Sequence, residues 1–318
     1  MKYKVMILGY PAKSDEEIKH CFHLMWSILN DALKLMPNVE IIDFDCREYY
    51  NPQPSAQPNL QFIAEHYDEI PEVDFIIVND LDLFFRKDSI SMLKTKCKTV
   101  FSFLELGEMC DFSFIFHPLY FRQKEENCKI VPAPFNDRFY KNEEKEKKSL
   151  LLDHSAWLGQ QENIIQSQER SHEIYTWLDS LKDEFKIYSM VYGAKQGEYA
   201  LNIMPKYVTP IMPCPFLEYL RKTDKMETFV VTHKGSYNLS VIDMLVRGVR
   251  VISYPGFIPQ YNVERFGIPL YSDKDSFLSA VRTSVDKEYW NKQVEKCTTV
   301  QALSEVLNEQ FNRQYDRD

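Results

Sequence analysis

The residues that most restrict what this chain can fold into are Thr228 to Gly256, TFVVTHKGSYNLSVIDMLVRGVRVISYPG. Phe229, Val230 and Val231 form a β-branched and aromatic run, and His233, Lys234, Gly235, Ser236, Tyr237 and Asn238 read as a turn. Ser240 stands where a helix N-cap belongs. Val241, Ile242, Leu245 and Val246 then follow helical spacing, Gly248 supplies a stop, and Val249, Val251 and Ile252 begin another strand. A strand, turn, helix, strand unit builds parallel sheets with helices on their faces. Ligands of such sheets bind at the carboxyl ends of strands, where helix N-termini offer free N–H groups to anions. The N–H groups of Asn238, Leu239 and Ser240 suit a diphosphate, and Asp243, one turn into the helix, suits a ribose. The same unit recurs in doubly wound domains that bind nothing there, so a purely structural role stays open.

The chain has 318 residues, long for one core and comfortable for two domains of roughly 150 residues each. Its 44% hydrophobic and 14% aromatic content indicates globular cores. A formal net charge of -9 argues against a surface that grips nucleic acid or anionic lipid as a whole, while leaving room for a local basic groove. The 7 cysteines, Cys21, Cys46, Cys97, Cys110, Cys128, Cys214 and Cys297, are odd in number and never spaced as CxxC, which points to a reducing compartment without a zinc knuckle. No apolar run approaches the ~18 residues that span a bilayer, and MKYKVMILGY enters a strand directly. The expectation is a soluble cytoplasmic protein without membrane insertion.

Alternation of strands and helices runs through both halves. Tyr3 to Leu8 reads as a buried strand, followed by a loop at Gly9 and a Ser14/Glu17 capping box that opens a helix with Ile18, Cys21, Phe22, Met25, Ile28, Leu29, Ala32 and Leu33 inward. Strands are expected at Val39 to Phe44, Val73 to Val78, Thr99 to Leu104, Ile115-Phe116 and Lys129 to Val131. Asp80 and Asp82 follow one of these strands and serve either a site or the cap of a helix at Ser89 to Leu93. The mixed-charge run YKNEEKEKK, Tyr140 to Lys148, reads as an exposed linker. Beyond it, Leu150 to Leu152 and Ile187 to Val191 are expected strands with a helix from Glu162 to Leu181 between them. Tyr207 to Met212 reads as a strand interrupted by Pro210. Helices are expected at Phe216 to Lys222 and Asp275 to Thr283, with a helical tail from Glu288 to Gln314, broken near Thr298-Thr299.

The run Ser236 to Ser253 resembles the donor-binding unit of GT-B glycosyltransferases, in which a Gly/Ser loop opens a helix bearing an acidic residue, followed by a glycine turn and a hydrophobic strand. This chain departs from that pattern with Asp243 in place of the usual Glu, and with Val246 and Arg247 where small residues precede the glycine. The resemblance implies an α/β protein of two Rossmann-like domains facing across a cleft. It divides the chain into an acceptor-side domain at 1–140, a linker at 141–149, a nucleotide-sugar-binding domain at 150–287 and a tail at 288–318 that crosses back to the first domain. The layout is also similar to that of the phage DNA β-glucosyltransferases.

The resemblance further implies transfer of a sugar, UDP-linked by preference, from a nucleotide-sugar to an acceptor hydroxyl, with no tightly bound cofactor and no strict need for a divalent metal. An inverting enzyme needs a base for the acceptor proton. Glu105, closing a strand, is the first choice, with Asp80 and Glu108 behind it; a cap or surface role for Glu105 is the competing reading. His154, Ser155 and Lys195, after strands of the second half, would reach the diphosphate. Met212 would border the nucleobase, and Lys234, Gly235, Ser236, Asn238, Leu239, Ser240 and Asp243 would hold phosphate and ribose. The Asp80-Leu81-Asp82 run is similar in form to the metal motif of GT-A enzymes, but the two-half organisation argues against that fold. A hydroxymethylated DNA base is an acceptor candidate, drawing on Lys94, Lys96 and Lys98 with Arg86, Lys87 and Arg122 for phosphate contact. A surface polysaccharide or small molecule, an epimerase or hydrolase of sugar nucleotides, and a non-catalytic ligand-binding protein are the alternatives.

Overall fold

The computed structural model describes residues 2–8, 18, 21–44, 66–78, 87–104, 110–115, 127–140, 144–153, 173–174, 176–191, 204–212, 214–232, 239–284 and 287–316. The described chain divides into two compact units, Met1–Asn136 with Cys297–Asp318, and Asp137–Lys296.

In the first unit, strands β1 (Tyr3–Leu8), β2 (Val39–Ile42), β3 (Phe75–Val78), β4 (Thr99–Leu104), β5 (Phe112–Ile115) and β6 (Cys128–Ile130) form one sheet in the order β2-β1-β3-β4-β5-β6. Every pairing is parallel. Parallel strands covered on both faces read as continuous apolar runs, which is why FIIV of β3 and FSFI of β5 are buried at every position. Helix α1 (Cys21–Lys34) connects β1 to β2, and α2 (Lys87–Leu93) connects β3 to β4. The proposed Ser14/Glu17 capping box lies outside the described residues.

The second unit contains β8 (Glu146–Leu152), β9 (Lys186–Met190), β10 (Val208–Ile211), β11 (Met226–Val231) and β12 (Arg250–Ser253), again all parallel, in the order β10-β9-β8-β11-β12. Helix α3 (Phe216–Thr223) leads into β11, and α4 (Leu239–Val246) connects β11 to β12. Leu150, Leu152, Ile187, Val230 and Ile252 form one face of this sheet, covered by Ile174, Leu178 and Leu181 and by Phe277 and Val281. The last two residues belong to a helix at Lys274–Arg282, whose amino end carries a reciprocal cap between Asp273 and Ser276. A shorter helix, Gln260–Phe266, precedes it. In chain order these are α6 and α5.

Two local expectations are corrected. Charge marked Glu146, Lys147 and Lys148 as linker, yet they open β8; Glu227 accepts from the Lys148 backbone N–H at 2.6 Å and Lys186 binds Glu146, so the charges edge a strand. Pro210 does not interrupt its strand: it pairs with Ser189 inside β10, and β10 is an edge strand, where a missing N–H leaves no ladder partner unsatisfied. The helical tail breaks near Thr298-Thr299 as expected, into two helices with a short strand between them. Helix α7 (Lys287–Val294) is grouped with the second unit, while β13 (Thr298–Thr299) and α8 (Val300–Tyr315) complete the first.

The return of α8 to the first unit has a specific packing basis. Strand β13 pairs with β7 (Pro134–Phe135), and the Thr299 side chain caps α8 by accepting from the Ala302 N–H. Leu303, Leu307 and Phe311 are buried, and Phe311 stacks on Phe75 with ring centroids 4.6 Å apart. Tyr3 of β1 donates to the Asn312 Oδ1 at 2.7 Å, and Asn38 donates to Asn308 at 2.9 Å.

Candidate functional site

In an open parallel sheet the ligand crevice lies beyond the carboxyl ends of the strands, at the point where strand order reverses. In the second unit the chain lays β9 and β10 on one side of β8 and β11 and β12 on the other, so the reversal falls between β8 and β11. Asp153 and Thr232, the residues after those strands, are both buried, and the Asp153 N–H donates to the Val230 carbonyl at 3.0 Å. The Tyr271 hydroxyl donates to the Val231 carbonyl at 2.9 Å, which satisfies the last acceptor of β11 from inside the core.

Helix α4 starts at this edge. Ser240, expected as the N-cap, is its second residue and half-buried in the first turn. The carboxyl end follows the expectation: Gly248 adopts φ 76, its N–H reaches the Leu245 carbonyl at 3.0 Å, and the Val249 N–H reaches Met244 at 2.9 Å. That pair of bonds is a Schellman termination, in which glycine tolerates the left-handed backbone that other residues resist.

Asp243 is the main correction at the site. It was expected at an open cleft facing a ribose; it is 2% exposed, and its Oδ1 accepts from the Tyr140 hydroxyl at 2.8 Å. The reason is geometric. Helix α4 is buried from Val241 through Val246, packed on β11, β12 and α7, so its second turn has no open face. Burial pushes the Asp243 carboxyl up to about 6, against the opposing pull of the Arg247 charge and the Tyr140 hydrogen bond.

Arg247 explains the departure from small residues before Gly248. Its side chain is fully buried and its donors are matched: Nε to the Asp243 carbonyl at 2.9 Å, and Nη1 to the Leu220 carbonyl at 2.8 Å, Thr223 Oγ1 at 2.7 Å and Asp224 Oδ1 at 2.9 Å. Nη2 contacts the Met244 sulfur at 3.3 Å. Lys145 adds a second cation, donating to the carbonyls of Asp224 and Arg247. Those carbonyls close the carboxyl ends of α3 and α4, where a positive charge is favourable. Sequence reasoning did not single out Tyr140, Lys145, Asp224 or Arg247 as a group. The one available signal was the Asp243 and Arg247 spacing of four, which brings opposite charges together on a helix.

Of the other expected site residues, Met212 is described, 47% exposed just beyond β10. Leu239 opens α4. Glu105, Asp80, Glu108, His154, Ser155, Lys195, Lys234, Gly235, Ser236 and Asn238 lie outside the described residues. Among the described residues no three His, Cys, Asp or Glu side chains gather to hold a metal, and no described helix is long and apolar enough to cross a membrane.

The lysines considered for nucleic-acid contact sit at the amino edge of the first sheet. Lys94, Lys96 and Lys98 precede β4, and the Lys96 carbonyl and the Lys98 N–H bond to the chain that enters β3. Each also has a local partner: Lys94 pairs with Asp111 at 2.6 Å, Lys96 lies over the Tyr67 ring at 4.4 Å and Lys98 over Tyr315 at 3.7 Å. Arg86 and Arg122 lie outside the described residues, and Lys87 opens α2.

No family model matches the sequence, and no curated protein matches it. Solved structures do. Sucrose-phosphate synthase from Thermosynechococcus elongatus superposes with a TM-score of 0.63 at 11% identity, covering 100% of both chains. AviGT4, a glycosyltransferase involved in avilamycin A biosynthesis, gives 0.59 at 12% identity, covering 98% of this chain and 97% of its own. The UDP-GlcNAc 2-epimerase of Methanocaldococcus jannaschii, solved with UDP-GlcNAc and UDP, gives 0.52 at 12% identity, covering 97% of this chain and 99% of its own. With two parallel α/β units and matches over nearly the whole chain, the fold is that of the GT-B glycosyltransferases, two Rossmann-like domains.

Proposed function

We propose that this protein is a sugar-nucleotide-dependent glycosyltransferase whose second unit binds the nucleotide diphosphate. The observation that carries the reading is the reversal of strand order between β8 and β11 with α4 starting at the same edge. Unpaired N–H groups at the first turn of a helix and its positive dipole end favour a diphosphate, and favour it more as charge builds on the leaving nucleotide. The kinship of fold to AviGT4 and sucrose-phosphate synthase supports transfer, and the UDP held by the epimerase supports UDP as the carrier.

In this reading the backbone from Asn238 to Ser240 holds the diphosphate, with His154, Ser155, Lys195, Lys234, Gly235 and Ser236 as further donors. Met212 borders the base. Asp243 acts beneath this site as a support, because its carboxylate is committed to Tyr140. Glu105, next in sequence after β4, is proposed as the base that takes the acceptor proton, with Asp80 as the second candidate. For the acceptor, a glycan or small-molecule hydroxyl fits better than a hydroxymethylated DNA base. Contact with DNA phosphates needs spare cations near the site, and Lys94, Lys96 and Lys98 are engaged at the amino edge of their sheet.

A second reading, epimerisation or hydrolysis of a sugar nucleotide, is favoured by the UDP-GlcNAc 2-epimerase that shares the fold over the full length. One experiment separates the two. Candidate UDP-sugars are incubated with the protein, with and without a panel of hydroxyl acceptors, and products are followed by mass spectrometry. Consumption only with acceptor present supports transfer; conversion without acceptor supports the second reading; inert donors refute both.

A further inference from the structure

Two residues ahead of β8, Tyr140 and Lys145, fasten to α4 at two heights. Tyr140, itself buried, donates to Asp243 at mid-helix, and Lys145 reaches the carboxyl ends of α3 and α4 together. We propose that the Tyr140–Asp243 hydrogen bond is a latch that holds α4 in place beneath the nucleotide site, making Tyr140 and Asp243 positioning residues for donor binding. The role in binding rests on the nucleotide-site reading above; the mechanical claim about α4 does not.

The latch responds to protons. Ionised Asp243 accepts a charge-assisted hydrogen bond from Tyr140, and protonated Asp243 only an ordinary one. Its carboxyl, lifted by burial, changes state between mildly acidic and neutral pH. Among the described residues, few other charges face it. On its own helix Arg247 lies one turn on, held to Asp224 and Thr223 of α3. Ahead of β8, Lys145 is bound to backbone carbonyls. From α3, the Tyr219 ring stands 6.0 Å from the Arg247 guanidinium. From α7, which packs on α4, Tyr289 feels the charge of Arg250, and Lys292 pairs with Glu288 at the surface. The latch tightens as pH rises and Asp243 ionises.

The test is hydrogen exchange on the full chain, wild type against Tyr140→Phe and Asp243→Asn, at pH 5 and pH 7.5, corrected for intrinsic exchange. The expected result is that Tyr140→Phe exposes the α4 amides about tenfold more at pH 7.5 and about threefold more at pH 5. Asp243→Asn should show equal protection at both pH values. Wild-type protection in Tyr140→Phe overturns the latch, and an equal loss at both pH values overturns its proton dependence. Calorimetric titration with UDP then tests positioning. Weaker binding in Tyr140→Phe supports it, and unchanged binding despite lost protection overturns it. If wild type does not bind UDP, the nucleotide reading fails, and the exchange data alone decide the mechanical claim.

Discussion

Tyr140 donates a 2.8 Å hydrogen bond to Asp243 across a sequence separation of 103 residues, joining a residue ahead of β8 to the helix between β11 and β12. The carboxylate expected at an open cleft is thus a buried acceptor.

Asp243 titrates near 6 in the folded chain and near 3.8 when unfolded, so folding favours its protonated form. The contribution is full below about pH 4, is lost as pH rises through about 6 and stays lost above, a swing on the order of 3 kcal/mol. Urea denaturation across pH 4 to 7.5 should therefore show Asp243→Asn gaining on wild type by about that amount. Parallel curves for the two proteins would contradict the assignment.

Arg247→Ala should be among the most damaging single changes in the second unit. It strands the Asp224 carboxylate and the Leu220 carbonyl in a buried setting, at a cost of about 3–5 kcal/mol. Denaturation midpoints measure this directly, and a loss under 1 kcal/mol would mean that water replaces the guanidinium.

Phe311→Ala removes the ring that stacks on Phe75 and abuts Phe101 and Tyr3. The expected loss is about 3–5 kcal/mol, felt in the first unit. Near-ultraviolet circular dichroism and hydrogen exchange of β1 and β3 amides would report it.

Duplex DNA should not be retained at physiological salt. The chain carries a net charge of -9, and Lys94, Lys96 and Lys98 already have partners. Fluorescence anisotropy at 50 and 200 mM salt checks this, and tight, steeply salt-dependent binding would reopen a DNA acceptor.

The segment Thr228 to Gly256 shows how much of this was legible. Its periodicities and Gly248 match β11, α4, the helix stop and β12, because each is set by local spacing and backbone freedom. The burial of Asp243 and Arg247 was not legible, since their partners Tyr140, Leu220, Thr223 and Asp224 come from other elements and only the folded packing brings them together. Charge misled at Glu146 to Lys148, where an edge of a strand carries ion pairs, and Pro210 misled because strand breaking depends on whether a neighbour needs the N–H. The reversal of strand order between β8 and β11 was not legible until pairing was known, as no local pattern encodes which strands are neighbours.

The central claim is that a nucleotide diphosphate binds at the first turn of α4. It is tested by thermal unfolding with and without UDP and UDP-sugars for wild type and Ser240→Asp. An acidic residue in the first turn suits the helix dipole, so the variant should fold as well as wild type, while its charge repels the diphosphate. The account predicts that UDP raises the wild-type Tm and leaves that of Ser240→Asp unmoved. An equal rise in both proteins would place the nucleotide elsewhere, and no rise in either with any UDP compound would contradict the claim outright.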